Sequence, residues 1–166
     1  MPLPLLLAQL VLGGEGHWVL GVGAIVLGEA IRLWAVGYIG PASRTRTSEV
    51  GQLVTVGPYG RLRNPLYAGN IIIWSGVGLV AGWYWALAWL VLMVVHYGLV
   101  VRWEEANLAP ELGPEYRAYL ERVPRWLPLG PGGAGTFDLV RALGSERSTF
   151  LALSAVGVAL AISRVL

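Results

Sequence analysis

Two short polar stretches carry most of the side chains in this chain that could do chemistry. The first runs Gly57-Pro58-Tyr59-Gly60-Arg61-Leu62-Arg63-Asn64-Pro65-Leu66-Tyr67-Ala68-Gly69-Asn70. Gly57-Pro58 signals a turn, and Pro65 fits the first turn of a following helix with Asn64 as its cap. A helix start with free N–H groups and an adjacent arginine is a receptor for a carboxylate or a phosphate. The second stretch is Arg102-Trp103-Glu104-Glu105-Ala106-Asn107-Leu108. Two adjacent carboxylates are poorly placed against anionic lipid and ask for a cationic partner. Glu105 can pair with Arg102 three residues away on a helix surface. Glu104 has no such partner, and an ammonium, a sulfonium or ribose hydroxyls would suit it. Alone, the first stretch reads more readily as a capped helix with snorkelling arginines, and the second as a solvated helix end. Together they describe a site that is cationic at one helix start and acidic at a neighbouring helix end. A zwitterionic amino-acid ligand matches it, and S-adenosylmethionine is such a ligand.

The elements that must position these stretches are apolar. The chain has 166 residues, of which 55% are hydrophobic and 13% charged, about half the charged share of a soluble domain. Mean hydropathy is +0.60. That composition excludes a disordered chain and a nucleic-acid arm, and the net charge of +2 is too small to argue for a nucleic-acid partner. The length suits one domain. With no cysteine there is no disulfide framework, thiolate metal site or thiol nucleophile.

Between Arg63 and Arg102 lie 38 residues without an Asp, Glu, Lys or Arg. As helix they would reach ~57 Å, close to two crossings of a ~30 Å hydrocarbon core. Gly82-Trp83-Tyr84-Trp85 breaks the run with interface-loving aromatics, so Leu66–Ala81 and Trp85–Val101 are expected to form a tight transmembrane hairpin. Trp18–Ile39 is long enough to cross although it holds Glu29 and Arg32. Ser148–Leu166 suits a short or tilted crossing, and Pro2–Gly14 a short uncleaved span or an interfacial helix. The expected fold is all-α: a polytopic transmembrane bundle of about five helices. Residues 18–128 are its functional unit, 129–147 a connector that begins with the flexible run Gly130–Gly135, and 148–166 a C-terminal anchor. Arg44, Arg46, Arg61 and Arg63 fall in one polar segment. Arg102, Arg117, Arg122, Arg125, Arg141 and Arg147 fall in another, and the connections Gly13–His17 and Gly82–Trp85 hold none. The positive-inside rule makes the two arginine segments cytoplasmic, with only Arg164 on the far side.

Ionisable residues inside spans usually face the bundle interior. Glu29 and Arg32 either neutralise each other or leave Arg32 to orient an anionic headgroup in an acceptor pocket. His96 lies on the helix leading to Glu104 and reads as a bundle residue or a base. No cluster resembles a metal site. Gly21-Val22-Gly23, Gly76-Val77-Gly78 and the pair Gly78 and Gly82 read as close helix packing.

The strings Gly57-Pro58-Tyr59 and Arg63-Asn64-Pro65-Leu66-Tyr67-Ala68-Gly69 resemble the Arg-His-Pro-x-Tyr-x-Gly signature of the integral membrane methyltransferases. That group comprises the isoprenylcysteine carboxyl methyltransferases and the phospholipid methyltransferases. Its second signature is similar to Glu104-Glu105-Ala106-Asn107-Leu108, then Leu112-Gly113-Pro114-Glu115-Tyr116-Arg117-Ala118-Tyr119 and Val123-Pro124-Arg125-Trp126-Leu127-Pro128. The resemblance covers roughly residues 28–128. It implies a donor site for S-adenosylmethionine at the cytoplasmic helix ends, with S-adenosylhomocysteine as product. Arg63 and the cap at Asn64 would hold the donor's carboxylate side, with Pro65 in the same turn. Glu104 and Glu105 would meet its ammonium or ribose, Tyr59 and Tyr67 would line the pocket, and Gly69 would permit close approach. Arg63, Asn64 and Glu104 stand as the catalytic set, and Arg32, His96 and Tyr116 as acceptor-side residues. Asn64 replaces the family histidine and cannot titrate; Leu112 replaces a phenylalanine.

Methyl transfer from a sulfonium mainly asks a protein to align two groups and exclude water. The implied activity is methylation of a lipophilic, membrane-embedded acceptor. The absence of histidine at 64 favours a carboxylate or an acceptor whose base lies elsewhere, and a lipid amine is the other acceptor class. Two rival readings are a sterol-type membrane reductase using NADPH, which the Glu-Glu pair opposes, and a non-enzymatic scaffold, which leaves both polar motifs without a reason. The expected setting is a multi-pass protein of a prokaryotic inner membrane, with its site at the cytoplasmic face and membrane lipids as partners.

Overall fold

Glycines at seven-residue spacing decide how the first long helices meet. The computed structural model describes residues 3–12, 16–39 and 53–162. In it, α2 (Trp18–Ile39) runs antiparallel to α3 (Pro65–Ala81). A Cβ on Gly28 would lie 2.7 Å from the Gly69 carbonyl oxygen, and one on Gly21 would lie 2.8 Å from that of Gly76. Where the hydrophobic effect gives no drive between helices, such backbone proximity supplies the contact. Gly23, by contrast, faces open space.

The charge-free run folds back on itself as the sequence suggests, by way of Gly82 at φ 133°. The second arm, α4 (Trp83–Arg122), is longer than the expected Trp85–Val101 because the helix continues past Arg102 without a stop. It is interrupted at Gly113 (φ 64°, ψ −143°), just before Pro114, whose ring bars regular helix at that point. Trp74 stacks on Trp89 across the hairpin at 4.4 Å. Into this contact α1 (Leu3–Leu12) inserts Gln9, which accepts a 2.6 Å hydrogen bond from the Trp89 ring N–H and donates one of 2.8 Å to the Val77 carbonyl. That buried amide ties α1 to the bundle, a role its apolar sequence did not reveal.

The run Gly130–Gly135, expected to be flexible, is instead bonded to the first polar stretch. Gly130 and Gly132 donate to the carbonyls of Arg61 and Gly60, and Gly57 donates to Gly133, at 2.9 to 3.0 Å. Side chains are excluded there: a Cβ on Gly130 would sit 2.4 Å from the Gly60 oxygen. The chain then forms α5 (Leu139–Ser145), with Asp138 accepting from the Arg141 amide as its cap, and α6 (Arg147–Ile162). Six α-helices and no strand occur among the described residues, against about five expected; α5 is the addition. Arg44, Arg46, Arg164 and most of the Gly13–His17 connection lie outside those residues.

Among the described residues, α2 and α4 are the two helices that are, by length and composition alone, long and apolar enough to cross a membrane. Only 28% and 22% of their most apolar windows are buried, so Val26, Leu27, Leu90, Val91 and Val95 point outward. A soluble core helix would bury such a window; an outward apolar surface is what lipid solvates.

Candidate active site

The N-terminal turn of α3 and the extended part of α4 meet, and both polar stretches come together there. Tyr67 donates its hydroxyl to Glu104 at 2.7 Å. Glu105 joins two arginines: Arg63 reaches one carboxylate oxygen at 2.9 Å and Arg125 the other at 2.5 Å. The expected pairing of Glu105 with Arg102 therefore does not occur; Arg102 is exposed, and the tertiary partners give Glu105 better geometry. Arg125 is held above its ordinary range chiefly by its hydrogen bonds to Glu105.

Asn64 occupies the cap position, but its side chain makes no capping bond. Its amide donates to the Arg125 carbonyl at 3.2 Å, beside the bond from the Arg63 amide to the Pro124 carbonyl. Asn64 thus fastens the Val123–Arg125 segment to the helix start, and the cap expected of it is corrected. That leaves the first-turn amides of α3 without a side-chain cap. Pro65 takes the first helical position and is buried. A Cβ on Gly69 would meet Arg32 and the Gly28 oxygen, so this glycine serves the α2 contact.

The loop before α3 is fixed by Tyr119, whose hydroxyl donates to the Tyr59 carbonyl at 2.8 Å. Tyr116, Tyr119 and Val123 form a buried cluster with Leu53 and Leu108 packed on it. Burial, then the Glu105 carboxylate, pushes Tyr116 up to about 12; burial raises Tyr59 and Tyr119 too. A tyrosine whose folded value exceeds its unfolded value of about 10 stabilises the fold fully below pH ~10. That contribution is lost as pH rises through about 12. Alkaline unfolding over this window should be shallower in Tyr116→Phe, and an unchanged profile would remove Tyr116 from the account.

A second polar cluster sits one layer deeper. Arg32 faces Glu29 at 3.4 Å, but its main partners were not anticipated: Glu146 at 2.5 Å, Asn70 at 2.5 Å and Thr149 at 3.3 Å. Asn70 in turn donates to the Tyr97 hydroxyl at 2.9 Å, and Tyr97 stacks on Tyr67 at 4.7 Å. The chain Glu146–Arg32–Asn70–Tyr97–Tyr67–Glu104 therefore links both clusters. A cavity of about 230 Å³ opens beside it, lined by Arg32, Asn70, Trp74, Tyr97, Thr149 and Leu153 among others. Expected acceptor-side residues part company here. Arg32 borders the cavity, Tyr116 packs in the tyrosine cluster, and His96 is exposed on α4, edge-on to Tyr97 at 4.9 Å. The exposure of His96 follows from its position on the outward face with Val95. Among the described residues no three His, Asp or Glu side chains cluster as a metal site.

Two buried polar atoms beside the first cluster, the Tyr59 hydroxyl and Arg63 Nε, have no hydrogen-bond partner among the described residues. With the uncapped start of α3 they leave donors in want of an acceptor, next to the acidic Glu104. The phospholipid methyltransferase profile matches residues 17–113. The chain belongs to that family. The family segment thus takes in α2, α3 and the helical path to Glu104 and Glu105, and ends before Tyr116, Arg125, α5 and α6. Similar curated proteins include the cobalt-zinc-cadmium resistance protein CzcN of Cupriavidus metallidurans, 33% identical over 121 residues. Protein-S-isoprenylcysteine O-methyltransferase B of Arabidopsis thaliana is 32% identical over 126 residues, and the nickel-cobalt-cadmium resistance protein NccN of Alcaligenes xylosoxydans xylosoxydans 33% over 109. These alignments take in 69%, 70% and 65% of this chain but only 53%, 63% and 48% of the relatives, so the chain spans about half the length of the proteins it matches. No solved structure matches it.

Proposed function

We propose that this family member is an S-adenosylmethionine-dependent methyltransferase acting on a lipophilic acceptor held in the bilayer. The observation that carries the reading is the meeting of Tyr67–Glu104 and Arg63–Glu105–Arg125 at an uncapped helix start. The residues suit the donor. The Tyr59 hydroxyl, Arg63 Nε and first-turn amides of α3 would hold its carboxylate, and Glu104 would accept from its ammonium or ribose. When bound, the donor supplies a methyl already activated on a sulfonium. What the chain does is orient and dry the site: the Tyr67–Tyr97 stack shields it from the cavity, and the double bridge at Glu105 keeps Arg63 in place. Asn64 takes no proton here; it holds the Val123–Arg125 segment. Family kinship brings both isoprenylcysteine-type carboxylates and lipid amines within the acceptor class.

The arginine placement supports a multi-pass arrangement in which the shorter apolar helices α1, α3 and α6 pack with the spans α2 and α4 in a prokaryotic inner membrane, with the site at the cytoplasmic face. The test is the thermal midpoint of detergent-purified protein with S-adenosylhomocysteine. At a hundredfold excess over Kd the ligand should stabilise the fold by about 2.7 kcal/mol. Glu104→Ala should abolish that shift and keep a cooperative transition. A shift with NADPH alone, or none with the adenosyl ligand in a folded sample, would overturn the reading.

A further inference from the structure

A second cavity, of about 270 Å³, borders the first turns of α3 on their other side. It lies in the groove between α2 and α3. Ile31 and Trp34 come from α2 and Ala68 and Ile72 from α3, while Leu62 precedes α3 and Trp126 follows α4. Ala68 and Ile72, one turn apart, lie on the side of α3 away from Asn70 and Trp74, which line the cavity beside Arg32. None of Tyr59, Arg63, Tyr67 and Glu104 is in this wall, so the groove is separate from the donor site. Trp126 also lies beyond the family segment, which ends at residue 113.

Arg61 is the one charged residue in the wall; the others are apolar or aromatic. A soluble ligand would need polar partners that such a wall does not offer, whereas a hydrocarbon chain needs none. The depth suits a chain just leaving its head. Ile72 stands about 10 Å along α3 from Pro65 at the helix start. Trp34, 40% exposed near the end of α2, sits where indole rings mark a membrane interface. Arg61 is exposed and pairs with no carboxylate among the described residues. Its backbone is fixed all the same: the amide donates to the Pro58 carbonyl at 3.0 Å, and the carbonyl accepts from Gly130 at 2.9 Å. The guanidinium lies alongside Gly132, with Nε 3.6 Å from where a Cβ would stand. A cation without a protein partner, in the wall of an apolar groove, is complementary to an anionic head whose chain enters that groove.

We infer that the groove between α2 and α3 seats one acyl chain of an anionic phospholipid, with Arg61 meeting its phosphate. The lipid is a resident of the fold and not the methyl acceptor, since no residue of the Tyr67–Glu104 pair reaches the groove. Its chain ties Leu62 and Trp126 to α2 and so braces the loop that carries Tyr59 and Arg63. The inference goes beyond the methyltransferase reading and does not depend on it.

The test uses trace phosphatidylglycerol and phosphatidylcholine, each with a diazirine in one acyl chain. They are photolysed with the full chain in nanodiscs made of both lipids and mapped by peptide mass spectrometry. Labelling around Leu62, Ile72 and Trp126 is taken relative to the outward face of α4 at Val91 and Val95. It should be about fivefold stronger with phosphatidylglycerol, the share of one arginine facing an anionic lipid. Arg61→Gln should bring that ratio close to one while the phosphatidylcholine label stays. Ala68→Phe and Ile72→Trp should each remove groove labelling by both lipids, and either folded variant decides the point. Equal labelling by the two heads overturns the anionic lipid, and labelling that survives the filled groove overturns the seat. Recovery of the bound lipid carrying a methyl from S-adenosylmethionine would make it the acceptor and overturn its standing as a resident. The S-adenosylhomocysteine shift, measured on the same samples, separates the two readings: its absence beside selective labelling removes the donor site and supports the lipid seat.

Discussion

Glu105→Ala is expected to lower the stability of the chain by about 2–4 kcal/mol and to take adenosyl-ligand binding with it. Glu105 is the one carboxylate between Arg63 and Arg125, with side-chain exposures of 12%, 14% and 35%. Breaking a buried pair by removing one partner costs roughly 3–5 kcal/mol, because the remaining charge is left uncompensated. Here two guanidiniums would be left facing each other. The exposure of Arg125 lets solvent screen its arm, which brings the figure down. Two backbone-anchored contacts survive, from Asn64 to the Arg125 carbonyl and from the Arg63 amide to the Pro124 carbonyl, so the segment loosens rather than leaves. The loss should appear as a drop of about 5–15 °C in thermal midpoint. Glu105→Gln should fall in between, since an amide oxygen can accept from one arginine but carries no charge. Glu111→Ala, at an exposed position of the same helix, should stay within about 0.5 kcal/mol. A loss below 1 kcal/mol at Glu105 would mean that water already compensates both arginines, and the bridge would no longer explain why Arg63 is held.

What was legible in the sequence was whatever depends on neighbours along the chain. The uncharged run from Asn64 to Val101 announced the α3–α4 hairpin, and Gly82 its turn, because a helix breaker between two apolar helices has one local meaning. The two motifs were legible as a pair because the hairpin returns both to one end. What escaped depends on partners far away. Glu146 sits 114 residues from Arg32 and in sequence is one more acid near a helix start, yet it is 1% exposed. Gln9 looks like a polar interruption of an apolar helix until Trp89 and Val77 are beside it. Gly130–Gly135 was misread because glycine marks both free chain and backbone pressed on backbone, and composition cannot distinguish them. Asn64 was misassigned for a related reason: a capping residue type at a capping position found a better acceptor in a segment 61 residues away.

Gly28→Leu should be among the most damaging single changes in the apolar bundle. The Cβ it adds would stand 2.7 Å from the Gly69 carbonyl oxygen and from Ile73 Cγ1, and 3.0 Å from the Ile73 nitrogen. A flexible side chain could move aside, but the backbone of α3 cannot, so α2 and α3 must separate. Separation propagates, because Gly21 meets Gly76 and Val80 one heptad earlier on the same antiparallel face. Overpacking a close-packed contact costs about 1–3 kcal/mol. The upper end is expected here, since dispersion falls quickly with a gap and lipid offers no hydrophobic drive to close it. Arg32 lies one turn beyond Gly28, so the same separation pulls it from Asn70 while Tyr67–Glu104, on another face of α3, is left in place. Stability and access to the inner cavity should therefore fall together, with the adenosyl-ligand shift retained in whatever fraction stays folded. Gly23→Leu is the matched control: nothing lies within 4 Å of its Cβ, and leucine is the better helix former. It should be neutral or mildly stabilising. Equal damage from both substitutions would show that glycine serves these helices through backbone flexibility, and that the α2–α3 contact does not depend on backbone meeting backbone.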